Sequence, residues 1–162
     1  MKSVLRRVVV PLVAVLAGLL PSVVVIEQAS ALTKLTHSQA TSIFRAAGIT
    51  WSSSGGCSDR YNSTCTSFEQ INDSTVYGVR TLKTASGCAV NITGGTEVGH
   101  ASGTYSHWNG YKVDISHNSC IDGYIHNAFT RIANRSDGYP QWKAASGNIY
   151  CDEGTHWDIT FY

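Results

Sequence analysis

The sequence has little of several features that would define a specialised class. Charged residues make up 14% of the 162 residues and the formal net charge is +1. No basic stripe is therefore available to follow a phosphate backbone, which argues against nucleic-acid binding. No two of the five cysteines are spaced as C-x-x-C, so a cysteine-rich metal knuckle is disfavoured. Beyond residue 31 no apolar run is long enough to span a bilayer.

The first 31 residues have the pattern of an export signal. Three basic residues precede an apolar stretch from Val8 to Ile26, which two prolines interrupt, and Ala29-Ser30-Ala31 supplies small residues for a signal peptidase. An uncleaved membrane anchor is the alternative, but the prolines and the small-x-small site favour cleavage. We predict a signal peptide at 1–31 and a protein that is secreted, extracellular or cell-wall associated, with no membrane contact after cleavage.

The remaining residues, 32–162, are enough for one domain with its own core. Three of the twelve Lys/Arg and one of the eleven Asp/Glu lie in the signal, which leaves nine basic and ten acidic residues. We find no internal repeat and no linker, and we expect a single, monomeric domain.

All five cysteines lie after the signal, so disulfides are the default expectation. Cys57 and Cys65 bracket a polar loop with little apolar content to hold its shape, and we pair these two first. The second choice is Cys88 with Cys120, which leaves Cys151 free. The sequence does not decide the connectivity.

The hydrophobic pattern predicts an α+β fold, with a small antiparallel sheet and helices packed on it. The predicted helices are 36–48, 66–71 and 122–134, the strands are 89–93, 111–115 and 148–161 with a break at Gly154, and 76–82 fits either a helix or a strand.

Two short stretches contain the residues with metal chemistry. In the first, His107 and Asp114 are seven apart and would face opposite sides of a straight strand, but Asn109-Gly110 is a strong turn signal that lets the chain reverse. In the second, Glu153 and His156 flank Gly154, which permits a kink. Catalytic zinc uses three His, Asp or Glu ligands, an open position for water, and a further carboxylate that takes the water proton.

These two stretches resemble the signature of the zinc D-alanyl-D-alanine carboxypeptidases and L-alanyl-D-glutamate endopeptidases, the peptidoglycan enzymes with the hedgehog-type fold. That family has S-x-H-x-x-G-x-A-x-D and, late in the chain, E-x-x-H. The resemblance implies that His107, Asp114 and His156 bind zinc and that Glu153 is the general base. It also implies a hydrolase that cleaves peptide bonds in peptidoglycan.

The family holds its substrate with an arginine in a strand-end segment, and the matching residues, 93–97, contain none. His100, close to the site in sequence, is the candidate replacement. Tyr105, Trp108 and Trp157 flank the ligands and are candidates to line a peptide groove, although core packing explains such aromatics equally well. The alternative to a peptidase is a non-catalytic cell-wall-binding module on the same fold. A third hypothesis, a disulfide-rich inhibitor or toxin, rests only on the cysteines and the small size.

Overall fold

A computed structural model describes residues 32–162; the predicted signal peptide, 1–31, lies outside the described residues. The strands are β1 (Lys34–Leu35), β2 (Thr50–Trp51), β3 (Ile71–Asn72), β4 (Asn91–Gly94), β5 (Lys112–Ser116), β6 (Thr130–Ile132), β7 (Gln141–Lys143), β8 (Ile149–Asp152) and β9 (His156–Thr160). The helices are α1 (His37–Ala46), α2 (Asp73–Ser86) and α3 (Ser119–Ala128). The fold class is α+β, as predicted. No helix among residues 32–162 is long and apolar enough to cross a membrane.

The main sheet has seven strands in the order β2-β4-β5-β9-β8-β7-β6, and β1 pairs with β3 in a separate two-stranded sheet. The β2–β4 pair is parallel and the other five pairs of the main sheet are antiparallel. The main sheet is thus larger than the predicted small sheet, and it is antiparallel except for the β2–β4 pair. The extra strands are only two or three residues long, so they carry too little periodicity to be detected in a sequence.

Local signals explain where the helices begin and end. Thr36 caps α1 with a reciprocal side-chain bond to Gln39, and the helix covers the predicted range. The predicted helix at 66–71 does not form, because Gln70 has a φ of 65° and Ile71 enters β3. The last predicted helix ends early, at Ala128, because the following residues pair with β7 as β6. The ambiguous segment 76–82 is part of α2.

The two central strands, β5 and β9, separate the core from the polar side of the sheet. Val113 and Ile115 of β5, with Trp157 and Ile159 of β9, are fully buried in one cluster with apolar residues of all three helices. The residues between them face the other side of the sheet, since side chains alternate along a strand. This alternation leaves one face of the sheet for the polar residues described below.

The disulfide predictions are confirmed. Cys57 is bonded to Cys65 and Cys88 to Cys120, while Cys151 is free and buried. Burial, the largest cause, raises the pKa of the Cys151 thiol to about 11, so this thiol stays protonated and unreactive at neutral pH.

Candidate metal centre

The centre is built on a pair of aspartates that face each other across β5 and β9. Asp114 and Asp158 are direct partners in the antiparallel register, so both point to the polar face of the sheet. Each is only 6% exposed, and the Oδ1 atom of each has no hydrogen-bond partner among the described residues. Two buried carboxylates with unsatisfied oxygens are unfavourable unless a cation lies between them.

His107 reaches this pair because the chain reverses at Gly110. The φ of Gly110 is 77°, and its N–H donates to the His107 carbonyl oxygen at 2.8 Å. The predicted turn is therefore present, and His107 Nε2 lies 3.3 Å from Asp114 Oδ1 and 3.8 Å from Asp158 Oδ1. The other ring nitrogen, Nδ1, lies 2.7 Å from the carbonyl oxygen of Gly95. A carbonyl oxygen only accepts, so Nδ1 carries the proton.

This tautomer matters for the charge of the site. In a neutral imidazole whose proton is on Nδ1, the Nε2 atom of His107 is an acceptor. It then faces two carboxylate oxygens that are also acceptors, and only a proton or a metal ion can bridge them. Burial alone would lower the pKa of His107, but Asp114 and Asp158 raise it above its usual value. Burial alone would raise the pKa of the Asp114 carboxyl. His107, His156 and His100 nonetheless hold this pKa below its usual range.

His156 and Glu153 approach from the hairpin that joins β8 and β9. Gly154, with a φ of 80°, lies in this turn, and the Glu153 N–H donates to the His156 carbonyl oxygen at 3.0 Å. His156 Nε2 is 3.6 Å from Asp114 Oδ1 and 3.1 Å from Glu153 Oε2. The structure thus brings together all four residues of the predicted metal constellation.

His100 lies closer to the ligands than the predicted substrate-binding role requires. Candidate ligand atoms of His100, His107 and Asp114 all lie within 4.8 Å of one another, so these three residues could hold a metal ion. The His100 and His107 rings stack with centroids 3.8 Å apart. Glu97 accepts from the backbone N–H groups of Ser67 and Gly95 and lies 3.1 Å from His100 Nε2. Such an outer carboxylate orients a histidine ligand.

A cavity of about 470 Å³ opens over these residues, and two cationic side chains, Lys112 and Arg135, also line it. Lys112 Nζ and Arg135 Nη1 lie 2.6 and 2.9 Å from Asp158 Oδ2, and Arg135 also forms an ion pair with Glu153. The cavity therefore has negative charge at its floor and positive charge on its wall. Sequence reasoning missed Asp158 and Arg135. Asp158 was detectable, because it follows His156 by two residues on a strand and must share its face; Arg135 had no such signal.

The three aromatic candidates lie in different places. Trp157 is fully buried, and its indole N–H donates to Asp122 Oδ1 at 2.8 Å, so it belongs to the core and not to a substrate groove. Tyr105 is 49% exposed and packs edge-on against Tyr111, outside the cavity residues. Trp108 lines a second cavity that adjoins the metal centre. One aromatic of the three is therefore near the site.

No protein-family model, curated protein or solved structure matches the chain. The resemblance to the peptidoglycan peptidases is therefore limited to two short motifs. The function is inferred from the geometry of the metal centre.

Proposed function

We propose that the protein is a secreted zinc peptidase that hydrolyses peptide bonds, with the stem peptides of peptidoglycan as its substrate class. The main observation in support is that His107 Nε2 and His156 Nε2 lie 3.3 and 3.6 Å from the same atom, Asp114 Oδ1. Tetrahedral zinc with bonds of about 2.0–2.2 Å requires ligand atoms about 3–4 Å apart. Both distances to Asp114 lie in this range, although the group whose ligand atoms all lie within 4.8 Å of one another contains His100 and not His156. Three ligands would leave one position for water, which the cavity above them can admit.

The proposed reaction assigns one role to Glu153. Zinc bound at the centre would polarise the scissile carbonyl and lower the pKa of a water molecule. The Glu153 carboxylate, 23% exposed and next to His156, would accept a proton from this water as the water oxygen bonds to the carbonyl carbon. The C–N bond then breaks, and Glu153 returns the proton to the leaving amine.

Four carboxylates and two cationic side chains line the cavity, and we propose that a free carboxylate of the substrate binds to Arg135 among them. Lys112 and Arg135 both line it, and peptidoglycan stem peptides carry free carboxylates. Arg135 is only 25% exposed and is already held by Asp137, Glu153 and Asp158. Its guanidinium is therefore fixed in place before substrate binds, which reduces the entropic cost of recognising a carboxylate. We propose that Arg135 holds the substrate, the role that an arginine in the segment matching residues 93–97 has in the peptidoglycan peptidases.

The proposal of secretion rests on two further features. The N-terminal pattern at 1–31 predicts export, and the two disulfides among residues 32–162 are typical of proteins that fold in an oxidising compartment.

One observation favours the second candidate function, a binding module with a structural metal. His100 joins His107 and Asp114 in the group that could hold a metal ion. If His100 and His156 both bound zinc, four protein ligands would close the coordination sphere and leave no position for water. The enzyme proposal therefore requires His100 to remain outside the ligand set.

Two substitutions separate the peptidase from the binding module. Glu153→Gln should leave the zinc content near one per chain, because Glu153 is not a ligand. Hydrolysis of purified stem peptides, followed by mass spectrometry, should fall about 10²–10⁴-fold. His156→Ala should lose zinc and activity together. Glu69→Gln and His126→Ala are the matched controls, since both residues lie outside the cavity.

The contrast between the two variants decides the question. Equal hydrolysis by Glu153→Gln and wild type would remove Glu153 from the reaction. Zinc-loaded wild type that binds stem peptides but never cleaves them would establish the binding module instead.

A further inference from the structure

The Cys57–Cys65 loop and Trp108 form an aromatic platform beside the metal centre, which the proposed reaction does not use. The Arg60 guanidinium lies over the Trp108 indole at 3.7 Å from its centroid. Tyr61, 76% exposed, packs edge-on against the same indole with centroids 5.7 Å apart. Trp108 itself is 38% exposed. Tyr105 and Tyr162 form a similar exposed pair, so the adjoining cavity, and not exposure alone, marks Trp108 and Tyr61 as a candidate binding surface.

Hydrogen bonds of Arg60 and the Cys57–Cys65 disulfide hold the platform in place. Arg60 Nε donates to the Thr96 carbonyl oxygen at 3.2 Å, and its Nη2 donates to the Trp108 carbonyl oxygen. The Val98 N–H donates back to the Arg60 carbonyl oxygen at 2.9 Å. The disulfide closes the loop that carries Arg60, so the covalent bond and these hydrogen bonds fix the indole before any ligand arrives. A fixed aromatic side chain binds with little loss of conformational entropy.

The cavity next to the platform is continuous in its lining with the metal cavity. It measures about 270 Å³, and Gly99 and His100 line both cavities. Its one carboxylate, Glu97, is already engaged by Ser67, Gly95 and His100. Exposed Ser102 and Gly103 contribute a hydroxyl group and backbone. The cavity lining therefore offers an indole and neutral polar groups, and the platform adds one cation, the Arg60 guanidinium over the Trp108 ring.

An extended peptide fits this region poorly. Residues 95–111 form no strand, and the edges of the main sheet are β2 and β6. A peptide in this cavity could not add a strand to the sheet, which is the usual way for an extended chain to satisfy its backbone groups. A pyranose ring, by contrast, presents a flat face of C–H groups to an aromatic ring and hydroxyl groups to neutral polar partners.

We propose that Trp108, Tyr61 and the adjoining cavity form a saccharide subsite that binds an N-acetylhexosamine of the glycan strand beside the scissile peptide. The assignment deepens the proposed function and rests on it for the link between sugar and peptide. The platform positions the glycan while the attached peptide enters the metal cavity past Gly99 and His100.

The test is a calorimetric titration of residues 32–162 with a soluble tetramer of β-1,4-linked N-acetylglucosamine. Wild type should bind saturably. Trp108→Ala and Tyr61→Ala should each weaken binding about tenfold, the size expected for loss of an aromatic contact. Tyr77→Ala is the control, since Tyr77 is 49% exposed and lines a different cavity. His156→Ala should bind the saccharide like wild type, because the subsite needs no metal.

The outcomes separate this proposal from the proposed function. Failure of wild type to bind the tetramer, or equal binding by both aromatic variants and wild type, overturns the subsite even if peptides are cleaved. If Trp108→Ala does not fold, Tyr61→Ala decides alone, because its side chain is too exposed to support the core. A sugar-free stem peptide that competes for the same site would reassign the platform to peptide. Saccharide binding without any hydrolysis would keep the subsite and reject the peptidase.

Discussion

Gly94 offers a sharp test of the metal centre, because it leaves room for a ligand without touching the metal. It pairs with Asp114 across β4 and β5. A Cβ atom at Gly94 would lie 2.3 Å from Asp114 Oδ2, 3.0 Å from its Cγ and 3.2 Å from its Cβ. The φ of Gly94 is not positive, so alanine fits the backbone, and the three nearest atoms all belong to the Asp114 side chain. Asp114 is 6% exposed and cannot rotate into solvent.

Gly94→Ala should therefore displace the Asp114 carboxylate from the position that it shares with His107 and His156. We expect zinc affinity to fall about 10–100-fold, as for other changes that misplace a ligand. A hundredfold loss removes about 2.7 kcal/mol of stabilisation by saturating zinc. The overpacking itself costs about 1–3 kcal/mol whether or not metal is present.

The measurements are a competitive zinc titration and thermal unfolding with and without zinc. The thermal shift produced by zinc should shrink in Gly94→Ala. Gly123→Ala is the matched control, because a Cβ at Gly123 in α3 meets no atom within 4 Å, and zinc should stabilise it as it does wild type. If Gly94→Ala bound zinc with wild-type affinity, Asp114 would not be a ligand in the described geometry.

Three further predictions concern protonation and covalent stability. Because the pKa of His107 is raised and a ligand must be neutral, calorimetry in different buffers should show proton release on zinc binding and weaker affinity as the pH falls; affinity independent of pH would contradict this. Burial alone would raise the pKa of Glu97, but its hydrogen bonds lower the pKa below the usual value. These bonds therefore stabilise the folded state above about pH 4.3, the pKa of glutamate in an unfolded chain, and the stabilisation is lost as the pH falls through the pKa of Glu97 in the folded protein. Glu97→Gln should cost about 1.5–3 kcal/mol at pH 7 and progressively less as the pH falls below 4, whereas an equal cost throughout would refute it. The Cys88→Ser/Cys120→Ser double variant should lose about 3–4 kcal/mol of its free energy of unfolding, measured in urea. An unchanged free energy of unfolding would contradict the stabilising role of this disulfide.

Much of the fold was predictable because its signals are local. The capping box at Thr36 marks the start of α1, and the alternation around Val113 marks β5. The segment 66–71 was not predictable, because its pairing partner is β1, more than thirty residues earlier in the chain. A backbone bond from Gln70 to Leu35 and the left-handed φ of Gln70 override its helical pattern.

The site divides in the same way. His107 and His156 each lie beside a glycine turn, so their convergence on Asp114 could be inferred from spacing and turn chemistry. His100 and Glu97 lie within a short segment of the same loop, but nothing in that segment reveals that Glu97 is buried and orients His100. Arg135 enters through the β6–β7 connection, and its place depends on the order of strands in the whole sheet.

Anomalous scattering at the zinc edge from crystals of residues 32–162 grown with zinc tests the central claim most directly. We predict one peak at about 2.0–2.2 Å from His107 Nε2, Asp114 Oδ1 and His156 Nε2, with water in the fourth position and Glu153 outside the coordination sphere. A peak coordinated by His100 together with these three residues would identify a closed structural site and contradict the peptidase. No peak at this centre, in protein that zinc neither binds nor stabilises, would contradict the metal site itself.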